Sequence, residues 1–207
     1  MIRLRNTTAP NLPLAPVGYG KNYQDQLNNV LRLYFNQIDN LFSAINGIGG
    51  ASYLQSPNGA WYDTTTQTRV AINTPQVVTF NSVVVSNQIG QRTAGDSKIY
   101  VDKAGYYNFQ FSAQIGKTSG GNAYIWIWFR VNGVDIPNLS SKVAVQGASA
   151  ESVPAWNFVL PMNADDYFEL VWATDDGVAI MSLASTTFAP ATPSVILTAT
   201  FVSALYT

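Results

Sequence analysis

Gly105-Tyr106-Tyr107-Asn108-Phe109-Gln110-Phe111-Ser112 alternates. Tyr107, Phe109 and Phe111 fall on one side of an extended chain, and Tyr106, Asn108 and Gln110 on the other, which is the period of a half-buried strand. After Gly120-Gly121-Asn122, the run Tyr124-Ile125-Trp126-Ile127-Trp128-Phe129-Arg130-Val131 is bulky on both sides, and Asn132-Gly133 closes it with hairpin chemistry. A strand apolar on one side needs a core. A strand apolar on both needs a core and a second cover. Together the two runs predict a β-sandwich that assembles with copies of itself.

Composition narrows the function classes. The chain has 207 residues, 47% hydrophobic and only 11% charged, where about 25% charged is usual. Asn, Gln, Ser and Thr supply the polarity, a surface suited to a rigid particle or fibre. The net charge of −1 gives nucleic acid no electrostatic footprint. No apolar run approaches transmembrane length, so neither nucleic acid nor membrane is an expected partner. Histidine and cysteine are both absent. That removes Ser-His-Asp and Cys-His catalysis, the usual zinc and iron–sulfur ligands, and disulfides. No cofactor is expected.

The chain organises into four parts. Residues 1–22 carry Pro10, Pro13 and Pro16 and read as an extended arm. Leu12, Pro13, Leu14 and Pro16 make it either a loose terminus or a docking arm laid along another protein. Residues 23–46 turn helical: Leu27, Leu31, Tyr34, Ile38, Leu41 and Ile45 are spaced as a heptad seam. Val30, Phe35 and Phe42 widen it, which suits three strands or docking on another surface better than a two-stranded coil. An amphipathic helix packed on its own domain is the plainer alternative. Asn46-Gly47 stops the helix. Residues 47–69 read as a linker with Tyr53, Leu54, Trp61 and Tyr62. Residues 70–207 form an all-β head, with strands expected at 69–72, 76–80, 83–86, 98–101, 105–115, 123–131, 134–137, 142–145, 154–160, 167–172, 179–183 and 194–206. Many short strands with turn residues between them read as an antiparallel sandwich or jelly roll.

On these residues the C-terminal region, from about Gln76, resembles the trimeric jelly-roll domain of the C1q/tumour-necrosis-factor superfamily. The motifs come in family order: Thr79-Phe80-Asn81; Ile99-Tyr100-Val101; Ala104-Gly105-Tyr106-Tyr107-Asn108-Phe109, a Gly-x-Tyr-x-Phe element; the aromatic strand with its Asn132-Gly133 turn; Leu160 to Trp172; and a closing strand from Val195. Ala164 stands where the family has Gly, and Phe168 where it has Val. The N-terminal stretch has its own resemblance. Asn11-Leu12-Pro13-Leu14-Ala15-Pro16, Tyr23, Gln26-Leu27 and the run from Leu33 to Asn40 look like an attachment module on small virion proteins of marine tailed bacteriophages. The resemblances imply a mainly β protein: a C1q/TNF-like antiparallel jelly-roll β-sandwich behind an extended arm and one amphipathic helix.

Candidate chemistry is sparse. The carboxylates Asp96, Asp165, Asp166, Glu169, Asp175 and Asp176 are the best acid–base residues, since glycoside hydrolysis runs on paired carboxylates. Asp165-Asp166 and Asp175-Asp176-Gly177 also read as turns. Asp165, Asp166, Asp175 and Asp176 would make a hard-cation site only if their loops converged. Gly116-Lys117-Thr118 lacks P-loop spacing. The aromatics carry more: Tyr124, Trp126 and Trp128, with Tyr107 and Phe109, are the expected trimer interface, and a sugar-stacking platform is the rival use of the Trp row. Which side of the 124–131 strand lies in the core stays open. The expected function is a non-enzymatic, homotrimeric bacteriophage virion protein, a capsid decoration or head-fibre knob. It is held to a major capsid or tail protein by its arm and helix, on the capsid surface before the tail. The alternative is a tail-fibre or receptor-binding adhesin with a glycan-binding head that takes a host-surface glycan.

Overall fold

In a computed structural model the chain divides into two compact units, residues 1–55 and 56–207. The structure describes residues 10–12, 17, 18, 20–46, 56–117, 120–147, 149–181 and 183–205. In the first unit, α1 runs Lys21–Asn46, two residues earlier than the seam implies. Its first turn closes on a bond from the Gln24 amide to the Gly20 carbonyl at 3.1 Å. Its 26 residues span about 39 Å at ~1.5 Å per residue. Leu27, Leu31, Tyr34, Ile38, Leu41 and Ile45 are half-buried, while Leu33, Phe35 and Phe42 are 53–57% exposed. Of the docking-arm residues, Leu12 is exposed; Pro13, Leu14 and Pro16 lie outside the described residues, as do Tyr53 and Leu54 of the expected linker. No described helix is long and apolar enough to cross a membrane.

The described residues of the second unit form sixteen strands: β1 Asn58–Asp63, β2 Gln67–Thr68, β3 Gln76–Val77, β4 Ser82–Asn87, β5 Ile89–Gly90, β6 Ile99–Val101, β7 Gly105–Ala113, β8 Ile115–Lys117, β9 Asn122–Val131, β10 Val134–Asp135, β11 Ser141–Gln146, β12 Glu151–Ser152, β13 Ala155–Met162, β14 Tyr167–Thr174, β15 Val178–Ile180 and β16 Val195–Ser203. One sheet has the order β13-β7-β16-β1-β4. The facing sheet has the order β10-β9-β14-β6-β5, with β11 also on β9 and β3 also on β14. A smaller sheet, β12-β8-β15-β2, is made of the short strands that adjoin β13, β7, β14 and β1 in sequence. Every ladder among the described residues is antiparallel. The protein is thus the mainly β, antiparallel jelly-roll sandwich that the sequence predicts, with one helix among the described residues.

Period-two alternation decides which side chains fill the space between the sheets. Along β7, Tyr107 and Phe109 are fully buried and Phe111 nearly so; along β9, Ala123, Ile125, Ile127 and Phe129 are buried. Phe109 stacks on Phe168 of β14 with ring centroids 4.2 Å apart and planes 14° from parallel. Phe129 joins them at 4.9 Å from Phe168 and 4.4 Å from Phe158. The Phe at position 168, a departure from the resembled pattern, therefore supplies the central ring of the core. Ala164 is accommodated because the left-handed residue of that turn is Asp165, with φ of 68°, a residue type that tolerates the region.

Four expectations are corrected. Tyr107 and Phe109 do not belong to a subunit interface: both have no exposed surface within one chain. Residues 58–63, placed in a linker, are an inner strand of the five-stranded sheet, between β16 and β4. Gly59 and Ala60 hide the alternation of this strand. Gly59 is needed there because the indole of Trp61 lies against its Cα, where a Cβ would collide with the ring. The head accordingly begins at about residue 56. The strand expected at 69–72 is a turn, and the long strand expected at 105–115 breaks at Gln114 into β7 and β8.

Candidate functional site

The inner side of β9 is the Ile125, Ile127, Phe129 side, so Tyr124, Trp126, Trp128 and Arg130 line the outer face, each half-buried. Register fixes their neighbours. Trp126 lies beside Ala173 of β14 and Lys142 of β11. Trp128 lies beside Val171, and Arg130 beside Glu169 and Asp135. Asn132 and Gly133, with φ of 50° and 78°, form the tight turn that returns β10 along β9. Asp135 Oδ1 then accepts from Trp128 Nε1 at 2.8 Å and from Arg130 Nε at 2.9 Å. The indole hydrogen bond first, and the guanidinium second, hold the Asp135 carboxyl below its ordinary value. Lys142 Nζ stands 3.7 Å from the ring centre of Tyr124 and 5.1 Å from that of Trp126, in cation–π geometry.

The two indoles line one side of a shallow, open groove of ≈ 470 Å³. Ala173, small where its neighbours on β14 are large, leaves the space beside Trp126. Ile136 and Pro137 add apolar wall, and Asn73, Asn138, Ser140 and Asp135 add polar rim. The groove is open along its length, a shape suited to an extended ligand laid across the strand and not to one enclosed in a cavity.

The outer face of the five-stranded sheet differs. Three rows cross all five strands: Val159, Asn108, Thr200, Asn58, Asn87; then Asn157, Gln110, Thr198, Ala60, Val85; then Ala155, Ser112, Ile196, Tyr62, Ser82. Not one of these residues is charged. Val159, Val85 and Ile196 are 42–54% exposed.

The carboxylates do not converge. Asp165 and Asp166 precede β14 and Asp175 and Asp176 follow it, so an eight-residue strand of about 26 Å separates the pairs. Asp165 pairs with Arg92. Asp166 accepts from Asn132 Nδ2 at 2.7 Å and the Asn163 amide at 2.6 Å. Asp175 accepts from the Tyr124 amide at 2.7 Å. Asp176 accepts from Lys117 Nζ at 3.2 Å; the Gly177 amide first, and Lys117 second, hold its carboxyl low. Asp96 accepts from the Ser97 amide at 2.8 Å, and buried Glu169 from the Ser97 hydroxyl at 2.7 Å. These are turn and core contacts. Among the described residues no three His, Cys, Asp or Glu side chains group as a metal site, so the four-aspartate cation site is not formed. Lys117, of the run that lacks P-loop spacing, is buried on β8; Thr118 lies outside the described residues.

Sequence reading missed Asp135, Lys142 and Ala173. The first was within reach: a two-residue turn at 132–133 sets Asp135 opposite Arg130 by counting alone. Lys142 and Ala173 depend on the registers of β11 and β14, which no local pattern fixes.

No family model matches the chain, and no curated protein matches it. Among solved structures, the globular domain of zebrafish complement 1qA protein is similar, with a TM-score of 0.48 at 15% identity, over 72% of this chain and 99% of that one. It is a distant likeness in fold.

Proposed function

We propose that this chain is a homotrimeric, non-enzymatic structural protein of a bacteriophage particle, a capsid decoration or head-fibre knob attached through its N-terminal arm and helix. The observation that carries self-association is the uncharged outer face of the five-stranded sheet. Charge-depleted faces with exposed aliphatics are those that lose least on leaving water. This moves the contact from the sheet expected to carry it. The Trp126–Trp128 face has Lys142, Arg130 and Asp135 at its surface, and burying them would cost desolvation. The wide apolar seam of α1 supports three chains over two. The virion assignment rests on the resemblance of residues 11–40 to phage attachment modules. The candidate acids and bases are engaged in turns and core contacts, which supports a non-catalytic role.

Light scattering on the full chain tests the assembly: a trimer is expected, and a monomer at micromolar concentration would refute it. Gln110→Glu together with Thr198→Glu, at the centre of the uncharged face, should give folded monomers, whereas Lys142→Ala on the other sheet should leave the mass unchanged. Deleting residues 1–22 should leave the head folded and abolish incorporation into particles; normal incorporation would remove the arm from the anchor. A receptor-binding adhesin is the second reading, and the groove at Trp126 and Trp128 is what favours it.

A further inference from the structure

We propose that the groove lined by Trp126 and Trp128 binds uncharged sugar rings of a glycan or polysaccharide chain. The inference deepens the adhesin reading and does not depend on self-association, which is assigned to the opposite sheet. Two indoles two residues apart on one strand side stand about 6.6 Å from each other along the strand. The C–H face of a pyranose is apolar and slightly electropositive, so it rests on the electron-rich face of an indole. Its hydroxyls need hydrogen-bonding partners at the edge of the same contact. The rim offers them: the amides of Asn73 and Asn138, the Ser140 hydroxyl, and the second oxygen of Asp135. Asp135 Oδ1 already takes both Trp128 and Arg130, which leaves Oδ2 as the free acceptor of that carboxylate.

The groove is also set in advance. The Nε1 bond to Asp135 fixes the Trp128 ring, and Lys142 stands over the ring of Trp126, so binding orders few side chains anew. Charge selects against other occupants. The formal charges around the groove balance, Arg130 and Lys142 against Asp135 and the neighbouring Glu169, so phosphates and acidic sugars find no net attraction there. A second copy of the chain would have to desolvate this charged rim when an uncharged face is at hand. Ala173 is the specificity-setting residue, since any larger side chain there would fill the space beside Trp126.

The test titrates the full chain with cellohexaose, mannohexaose and chitohexaose, followed by indole fluorescence and by the Trp Nε1–H resonances. Saturable binding to at least one probe is expected, with shifts of the Trp126 and Trp128 resonances. Trp128→Ala should weaken it by about five- to a hundredfold, the value of one lost ring stack. Ala173→Leu should weaken it at least about fivefold by occlusion, while Phe188→Ala, at an exposed loop position, should change nothing. Ala173→Leu adds bulk on the outer face only, so it decides the matter if Trp128→Ala does not fold. The proposal is overturned if none of the three probes binds, if binding is indifferent to both groove variants, or if only polyanionic glycans bind. Loss of the trimer with sugar binding intact would count against the assembly reading alone.

Discussion

Phe109→Ala separates a core residue from an interface residue. Phe109 is fully buried, stacked on Phe168 at 4.2 Å, and Phe168 is itself held by Phe129 at 4.9 Å. Phe129 is wedged against Phe158 at 4.4 Å. Neighbours so braced relax little into a void, and removing a buried phenyl then costs about 3–5 kcal/mol. Of that, about 0.5–1.5 kcal/mol belongs to the stacked pair. For a chain of this size each kcal/mol moves the midpoint by about 2–4 °C, so the Tm should fall by about 6–20 °C. Thermal melts of the full chain, followed by near-UV circular dichroism at two protein concentrations, would measure it. A core role predicts the same difference from the parent at both concentrations, with the state of association below the transition the same as the parent's. An unchanged melting temperature together with lost association would refute the placement of Phe109.

Gly105→Ala should cost about 1–3 kcal/mol as overpacking, because its Cβ would collide with the Phe201 ring and stand 2.8 Å from the Ser203 carbonyl oxygen; a urea midpoint equal to the parent's would contradict this. The carboxyl of Asp135 is depressed below its ordinary 3.8, so the stabilisation it gives is fully present above that value and is lost only as pH falls through the lower folded-state value. The Trp128 Nε1–H resonance should therefore titrate below pH 3.8, and Asp135→Asn should abolish the titration; a midpoint at or above the ordinary value would exclude the contact. Lys117, with its side chain fully buried against a partly exposed Asp176, should tolerate Lys117→Met, which removes a buried charge and keeps the volume. Asp176→Ala leaves that charge unpaired and should be the more destabilising of the two, and the reverse order in urea unfolding would contradict the burial.

β7 was legible from its alternation, and β9, β14 and β16 from runs rich in aromatic and β-branched residues. β1 was not, because its alternation is between glycine, alanine and a single indole, and its burial comes from β16 and β4, distant in sequence. The break at Gln114 was equally hidden, since Ile115 continues the apolar period of β7 across the bend into β8. The aromatic row at Tyr124, Trp126 and Trp128 was recognised, but its side could not be assigned. Both sides of β9 are apolar, and only the packing of Phe129 against the rings of Phe158 and Phe168 decides between them. Phe109 and Tyr107 were misassigned for a related reason. Alternation shows that a side chain is covered and cannot tell whether its own chain or a neighbour covers it. The groove needed three strands in register, and registers are set by tertiary pairing.

The outer face of the five-stranded sheet has one more consequence, for how a contact made there would respond to salt. Ionic screening weakens contacts between exposed charges, over about 8 Å at physiological salt and about 3 Å at 1 M. A contact made of valine, threonine and amide side chains offers that screening nothing to act on, and nothing in it titrates near neutrality. Subunits joined there would hold alike in fresh water and in brine. Among the described residues, only three ion pairs would register the difference, and none of them lies on that face.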